Sequence, residues 1–378
     1  MDASAAVPPP YVAAPLHLHP FRAHVLQASR VGDPAAARLF ACPYRAVSER
    51  FGAWRERGHL TSDTGTAVYL HEYTASGITV RGWVGALDLT RRAHGPEDRG
   101  VLPHEGVHPE QTTELADRMA EIRIDPAPIL LLHRAAPELA DLTRRVASRT
   151  PTWELQDRAE QRHRIWAVRD EVDQSVLNAS LGRALLADGH HRYAAYLQLQ
   201  ARFPGSAADH GLAMVVDQHD TPLFLGPIHR VLVGTTLDDL VAGAERAGLP
   251  AREVTSPGYD HLAAATAVAT DGERAVALRL PVTSEHEPTM VERIHRDLVP
   301  ALAHAPREVL YRHSVEETVN TLSAHQGVAL LLPAPTYEQV LTTAEAGRLL
   351  PEKATSFQPK PSVGLLMRSL VDEPAALR

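Results

Sequence analysis

The chain has 378 residues, 44% of them hydrophobic and 22% charged, with a net charge of −8. That length exceeds most single hydrophobic cores, so two packed regions are expected. The acidic balance, without any basic run, argues against a duplex nucleic-acid partner. The single cysteine, Cys42, excludes a disulfide framework and a cysteine-ligated zinc site, in keeping with a reducing, cytoplasmic location.

Residues 1–20, MDASAAVPPPYVAAPLHLHP, lack a basic start and a continuous apolar stretch, so they read as a flexible, proline-rich lead-in and not as a secretory signal. Nowhere do eighteen apolar residues run together, and no membrane span is expected. The stretch TAVYLHEYTASGITVRGWVGALDL, ending at Leu89, reads as a hairpin turning at Ser76-Gly77. Within it His71 and Glu72 are expected to face opposite sides of a strand. A helix is expected over Thr112 to Arg123, a buried strand at Ile129 to Leu132, a second helix near Glu138 to Ser148 and a strand across Arg164 to Val168. Gly211 to Asp217 and Pro222 to Leu232 read as another hairpin, joined by Gln218-His219-Asp220-Thr221.

From Gly234 onward short elements alternate. A helix starts at the N-cap Thr236 and stops at Gly248. Strands at Ala275 to Leu280, Val309 to Arg312 and Val328 to Leu332 alternate with helices at Met290 to His304, Val315 to Ala324 and Tyr337 to Ala346. The expected fold class is therefore mixed α/β. Residues 1–20 form the lead-in, 21–233 a strand-rich region and 234–378 an alternating α/β region. The four tryptophans are scattered and not interleaved with basic residues, which suits core or boundary positions better than base stacking.

Chemistry concentrates in Ala184 to Phe203, ALLADGHHRYAAYLQLQARF. A short apolar strand runs through Asp188-Gly189 into a helix that contains neither glycine nor proline. Such a junction suits an anion: the first-turn N–H groups and the helix dipole face the turn, Gly189 permits close approach, and Arg192 can fork onto a phosphate. The competing reading is a helix capped by Asp188, with His190, His191 and Arg192 as solvated first-turn residues. A metal site is a third possibility, but adjacent histidines on a helix point about 100° apart and do not readily share an ion.

Asp188-Gly189-His190-His191-Arg192-Tyr193 resembles the signature of domain-of-unknown-function family 1015. The resemblance extends to Pro43-Tyr44, Pro103-His104-Glu105, Ile228-His229-Arg230-Val231-Leu232 and the C-terminal PEKATSFQPKPSVGLLMRSL from Pro351 to Leu370. The Gly189-x-x-Arg192 core is similar to a phosphate motif shared by ParB proteins, sulfiredoxins and free-serine kinases, which implies a nucleotide site of that type. Sulfiredoxin carries its reactive cysteine directly after the glycine, where this chain has His190. The DNA-reading helices of ParB are not evident either, which leaves the kinase branch. The chain departs from the family's proline-tyrosine-aspartate by placing Arg45 after Tyr44, and a loop that follows in relatives is missing.

The resulting expectation is a phosphotransferase that moves phosphate from ATP or ADP, with Mg2+, to a small hydroxylated metabolite, free serine being the first candidate. Gly189, His190, His191 and Arg192 would bind the nucleotide, with His229 and Arg230 as a second phosphate contact. Glu105 is the preferred base, with Asp188 and His104 as further catalytic candidates. Plainer roles compete: Glu105 as a solvated loop carboxylate, His229-Arg230 as part of a structural ion pair. The alternatives for the whole protein are a non-catalytic nucleotide-binding or scaffold protein, and a metal-assisted hydrolase using His104, His190 and His229. Finally, 36 of the 38 basic residues are arginine, and the two lysines, Lys353 and Lys360, share one eight-residue segment. A compact ammonium differs from a planar guanidinium, so this segment is expected to fold back and set a lysine beside Asp188 to Arg192.

Overall fold

The structure, a computed structural model, describes residues 6–31, 47–255, 259–263, 265–279 and 288–371. Cys42, Pro43, Tyr44 and Arg45 lie outside the described residues. The fold is mixed α/β, in two compact units: Met1–Leu223 together with Pro359–Arg378, and Phe224–Gln358. Among the described residues no helix is long and apolar enough to cross a membrane.

The first unit is built on a nine-stranded mixed sheet. Its main path runs Val101–Pro103, Ala184–Asp188, Ile129–His133, His210–Asp217, Ile78–Asp88, Val68–Ala75, Arg162–Val168, Trp153–Gln156, and Leu18–His19 also pairs with Ile78–Asp88. The expected hairpin is present. Ser76 and Gly77 both take positive φ, 51° and 79°, which lets a two-residue turn match the strand twist. Alternation fades in the central strands because both faces are covered, and every residue of Ile129–His133 is buried. Gly85 is one consequence of that crowding, since a Cβ there would lie 2.7 Å from the Leu18 Cβ. Trp83 and Trp166 sit in the core cluster.

Two expectations fail for reasons of partner choice and burial. The His210–Asp217 strand does not pair with the segment that follows it. It lies between Ile78–Asp88, antiparallel, and Ile129–His133, parallel, while His229–Val233 belongs to the sheet of the second unit. An apolar strand destined for a sheet centre carries no local mark of its neighbours. Glu72 is not solvated opposite His71. Both residues are buried, Glu72 because Arg81 and Arg164 close over its carboxylate.

A second, four-stranded sheet in this unit has the order Leu60–Ser62, Ala23–Leu26, Met367–Ser369, Ile124–Asp125. The chain's last described strand is thus hydrogen-bonded between two strands from far earlier in the sequence. The second unit has a six-stranded sheet in the order Ala251–Val254, Ala275–Arg279, Thr266–Thr270, Gly327–Leu331, His229–Val233, Glu308–Arg312. Its first helix, Leu237–Arg246, is capped as expected, the Thr236 side chain accepting from the Asp239 N–H. The helix expected over Met290 to His304 is shorter and broken. An α-helical turn, Met290–Arg293, passes into a π turn, Ile294–Leu298, and a 3-10 turn, Val299–Ala301. Pro300 lacks the N–H that would continue the α ladder.

Candidate anion site at a helix start

Strand pairing gathers the candidate residues. Ala184–Asp188 runs parallel to Val101–Pro103 with Leu186 opposite Pro103, so His104-Glu105 and Asp188-Gly189 leave the sheet at the same edge. The neighbour on the other side, Ile129–His133, is antiparallel, with Asp188 opposite Leu130. Its entry loop, Pro126-Ala127-Pro128, therefore reaches that edge too.

At this edge the helix His190–Arg202 begins. Its N-cap is Gly189, at φ +92°, and no side chain caps it. The competing reading, a helix capped by Asp188, does not hold: the Asp188 carboxylate makes no cap bond and is engaged elsewhere. Its Oδ2 pairs with Arg192 at 3.0 Å and its Oδ1 with Lys360 at 2.5 Å. A Cβ at residue 189 would lie 3.0 Å from Ile129 Cγ2 and 3.3 Å from the Arg192 guanidinium, and the left-handed φ would strain any L side chain, so the turn favours glycine. A helix start with positive φ at the glycine and no protein cap is a fitting cradle for phosphate oxygens.

The signature side chains do something that sequence reasoning did not anticipate: each holds the backbone of a neighbouring segment. His190 is buried, not solvated, and its Nε2 accepts from the His104 N–H at 3.4 Å. The His191 Nε2 accepts from the His108 N–H at 3.2 Å. The loop that carries Glu105, itself half-buried, is thereby held at both ends. Arg192 donates through Nη1 to the Ala127 and Pro128 carbonyls at 2.8 and 3.0 Å, tying down the entry loop of the neighbouring strand. The Tyr193 hydroxyl accepts from the Val12 N–H at 2.9 Å, fixing the N-terminal segment. Four consecutive side chains thus tie neighbouring segments to the helix start.

The electrostatics follow from burial. His104 and His190 meet edge to face at 4.6 Å. Burial pushes His104 down to about 4 and holds His190 well below the ordinary imidazole range, a displacement that the neighbouring His104, His191 and Lys360 reinforce. Both are neutral at physiological pH. His190 and His191 accept through Nε2, so the proton of each sits on Nδ1. Among the described residues no group of three or more histidine, cysteine, aspartate or glutamate side chains is placed to hold a metal ion. His229, the third histidine of the hydrolase reading, belongs to the second unit.

The remaining candidates lie in that second unit. His229 accepts the Leu332 N–H at Nδ1, 3.1 Å away, and burial lowers it to about 4. Arg230 is fully buried. It donates to His295 Nε2 at 3.2 Å and to the Glu352 and Lys353 carbonyls at 3.2 and 2.9 Å. Lys353 itself is exposed, with φ +56°. Arg230 thus organises the segment that contains Lys353, and Lys360 is the lysine that pairs with Asp188.

Buried neutral imidazoles carry a stability signature. His104 and His133 are each held down to about 4 by burial, against an unfolded value near 6.5. Between those limits the unfolded chain binds more protons than the folded one, so stability is full above pH 6.5 and is lost as the pH falls toward 4. Each group contributes a slope of about 1.4 kcal/mol per pH unit in the window. Urea unfolding midpoints measured from pH 7.5 down to 4.5 are expected to drop steadily below 6.5; a flat profile there would contradict neutral burial.

A family model described as "Protein of unknown function (DUF1015)" matches residues 16–247, well over half of the chain. The chain belongs to this family. No curated protein matches it. Several solved structures resemble it in fold. A free serine kinase in complex with AMP does so at TM-score 0.40 and 16% identity, over 70% of this chain and 88% of that one. SbnI with a C-terminal truncation, from Staphylococcus aureus, reaches TM-score 0.44 at 14% identity, over 77% and 90%. A conserved hypothetical protein from Pyrococcus furiosus gives 0.40 at 15% identity, over 72% and 93%.

Proposed function

We propose that this protein is a nucleotide-dependent phosphotransferase acting on a small hydroxylated metabolite, with free serine the first acceptor to test. The observation that supports this reading is the helix start at Gly189, which no side chain caps and whose signature residues hold the neighbouring loops in place. Backbone N–H groups of His190, His191 and Arg192 take phosphate oxygens of ATP or ADP, and the Lys360 and Arg192 charges stand beside them. Mg2+ would be held mainly by the phosphates, with a carboxylate of this edge to complete its shell, and would supply neutralisation of charge on the transferring group. Asp188 already holds two cations, so Glu105, on the tethered loop, is the group that takes the acceptor's proton. The reading is built on residues of the first unit.

A thermal-shift series with ATP, ADP and AMP tests the binding half. Nucleotide at a hundred times its dissociation constant adds about 2.7 kcal/mol to apparent stability, and no shift with any of the three sinks the proposal. Turnover is then measured with Mg2+, with and without serine. Glu105→Gln is expected to keep the nucleotide shift and lose turnover. Binding without turnover in the parent protein would favour the non-catalytic reading, which Arg45 and the missing N-terminal loop make the natural second choice.

A further inference from the structure

Lys360 reaches Asp188 from a segment whose backbone is pinned on both sides. The Tyr73 hydroxyl donates to the Pro359 carbonyl at 2.7 Å, and that carbonyl belongs to the peptide group joining Pro359 to Lys360. Two residues beyond Lys360, the Ser362 hydroxyl lies 3.3 Å from both Asp157 Oδ2 and Gln161 Oε1. Between the pins the sequence is Pro359-Lys360-Pro361. Both prolines fix their own φ, and Pro361 restricts Lys360 to extended conformations. The lysine's backbone is therefore set before its side chain makes any contact.

The pins rest on one buried assembly. Asp157 is buried, and its Oδ1 accepts from the Ala159 and Gln161 N–H groups at 2.8 and 2.9 Å. A carboxylate only accepts, so His163 Nε2, 3.3 Å from Asp157 Oδ2, is the donor. Its Nδ1 then accepts from His71 Nε2 at 3.1 Å. Tyr73 packs against both imidazoles, with ring centroids 5.2 Å from His71 and 6.1 Å from His163. Tyr73 and His163 face each other across paired strands, which makes the support rigid.

We propose that Tyr73 and Ser362 are positioning residues for Lys360, holding its ammonium at the phosphate turn so that it passes from Asp188 to a phosphoryl oxygen when an anion occupies the Gly189 helix start. This rests on the reading of that turn as a phosphate site. The two parts separate experimentally because the chain has only two lysines, and exposed Lys353 serves as an internal standard.

The test is the acetylation rate of each lysine, read by peptide mass spectrometry on the whole protein. In the free parent protein Lys360 is expected to react about two- to fivefold more slowly than Lys353, the protection an exposed ion pair gives. Tyr73→Phe and Ser362→Ala each remove one hydroxyl without changing the packing. Each is expected to raise the Lys360-to-Lys353 ratio while circular dichroism and the melting curve keep the cooperative form of the parent. A change confined to general stability would not move that ratio. Ratios identical in the parent and both variants overturn the positioning role, whatever nucleotides do. Adding ADP or inorganic phosphate is expected to protect Lys360 further in the parent and less in Tyr73→Phe. Absence of any such protection, with the free-protein ratios as expected, overturns the transfer to phosphate and leaves the pins established.

Discussion

Arg368→Met is expected to destabilise the first unit by about 3–5 kcal/mol, the cost of breaking a buried ion pair by removing one member. The Arg368 side chain is wholly inaccessible. It pairs with the equally buried Asp125 at 3.0 Å and donates to the His210 carbonyl at 2.8 Å and to the Ala207 carbonyl. It sits on the Met367–Ser369 strand, between Ala23–Leu26 and Ile124–Asp125, so it joins the end of the described chain to a sheet edge and to the start of the His210–Asp217 strand. The double variant Arg368→Met with Asp125→Asn is expected to recover a substantial part of the loss, because it also removes the buried negative charge that Arg368 balances. Urea unfolding of the three proteins checks both statements. A loss below about 1 kcal/mol in the single variant would mean that the C-terminal segment is not integral to the unit.

Local features of the chain were readable where short-range chemistry decides them. Ser76-Gly77 announces its turn, Thr236 its cap, and Ile129 to Leu132 its burial, because each depends on a few adjacent residues. The Asp188-Gly189 junction belongs to the same class: a glycine between a strand and a helix needs no distant partner to be recognised. Sheet neighbours were not readable. The His210–Asp217 strand is buried nearly throughout and pairs on both edges, so its sequence is equally compatible with any apolar partner. The break after Arg293 was signalled by Pro300, but an apolar helical spacing continues across it and masks the change of ladder.

The site was half legible for a related reason. The residues that define it share one signature, but the jobs of their side chains are set by loops that arrive from elsewhere. Nothing near His190 says that its ring nitrogen will meet the backbone of His104. Nothing near Tyr73 or Ser362 says that they will hold a lysine. The scarcity of lysine was the one signal that crossed that distance, since it marked the segment holding Lys360 before any contact was known. The same scarcity pointed equally to Lys353, and only the fold separates the two.

Arg192→Ala tests what the signature arginine does. From sequence the side chain should face phosphate alone, and its loss should leave the fold untouched. The structure instead gives it three protein partners, the Asp188 carboxylate and the Ala127 and Pro128 carbonyls, with about a quarter of the side chain accessible. Charge-assisted bonds of this kind are worth roughly 1.5–3 kcal/mol each when well shielded. Partial exposure and relaxation of the loop reduce the sum, and a loss of about 2–4 kcal/mol is expected. The entry loop also accepts the Gly364 N–H at the Pro126 carbonyl, 3.0 Å away, so its release reaches the segment that carries Lys360. Arg192→Ala should therefore lose stability and nucleotide affinity together, and the acetylation of Lys360 should change with them. Arg192→Lys separates the contributions: it keeps a charge near Asp188 but cannot bridge two carbonyls and a carboxylate at once. Its expected result is partial recovery of nucleotide affinity with little recovery of stability, measured by calorimetric titration and urea unfolding. Parental stability in Arg192→Ala would show that the arginine's place is with the ligand and not with the loop.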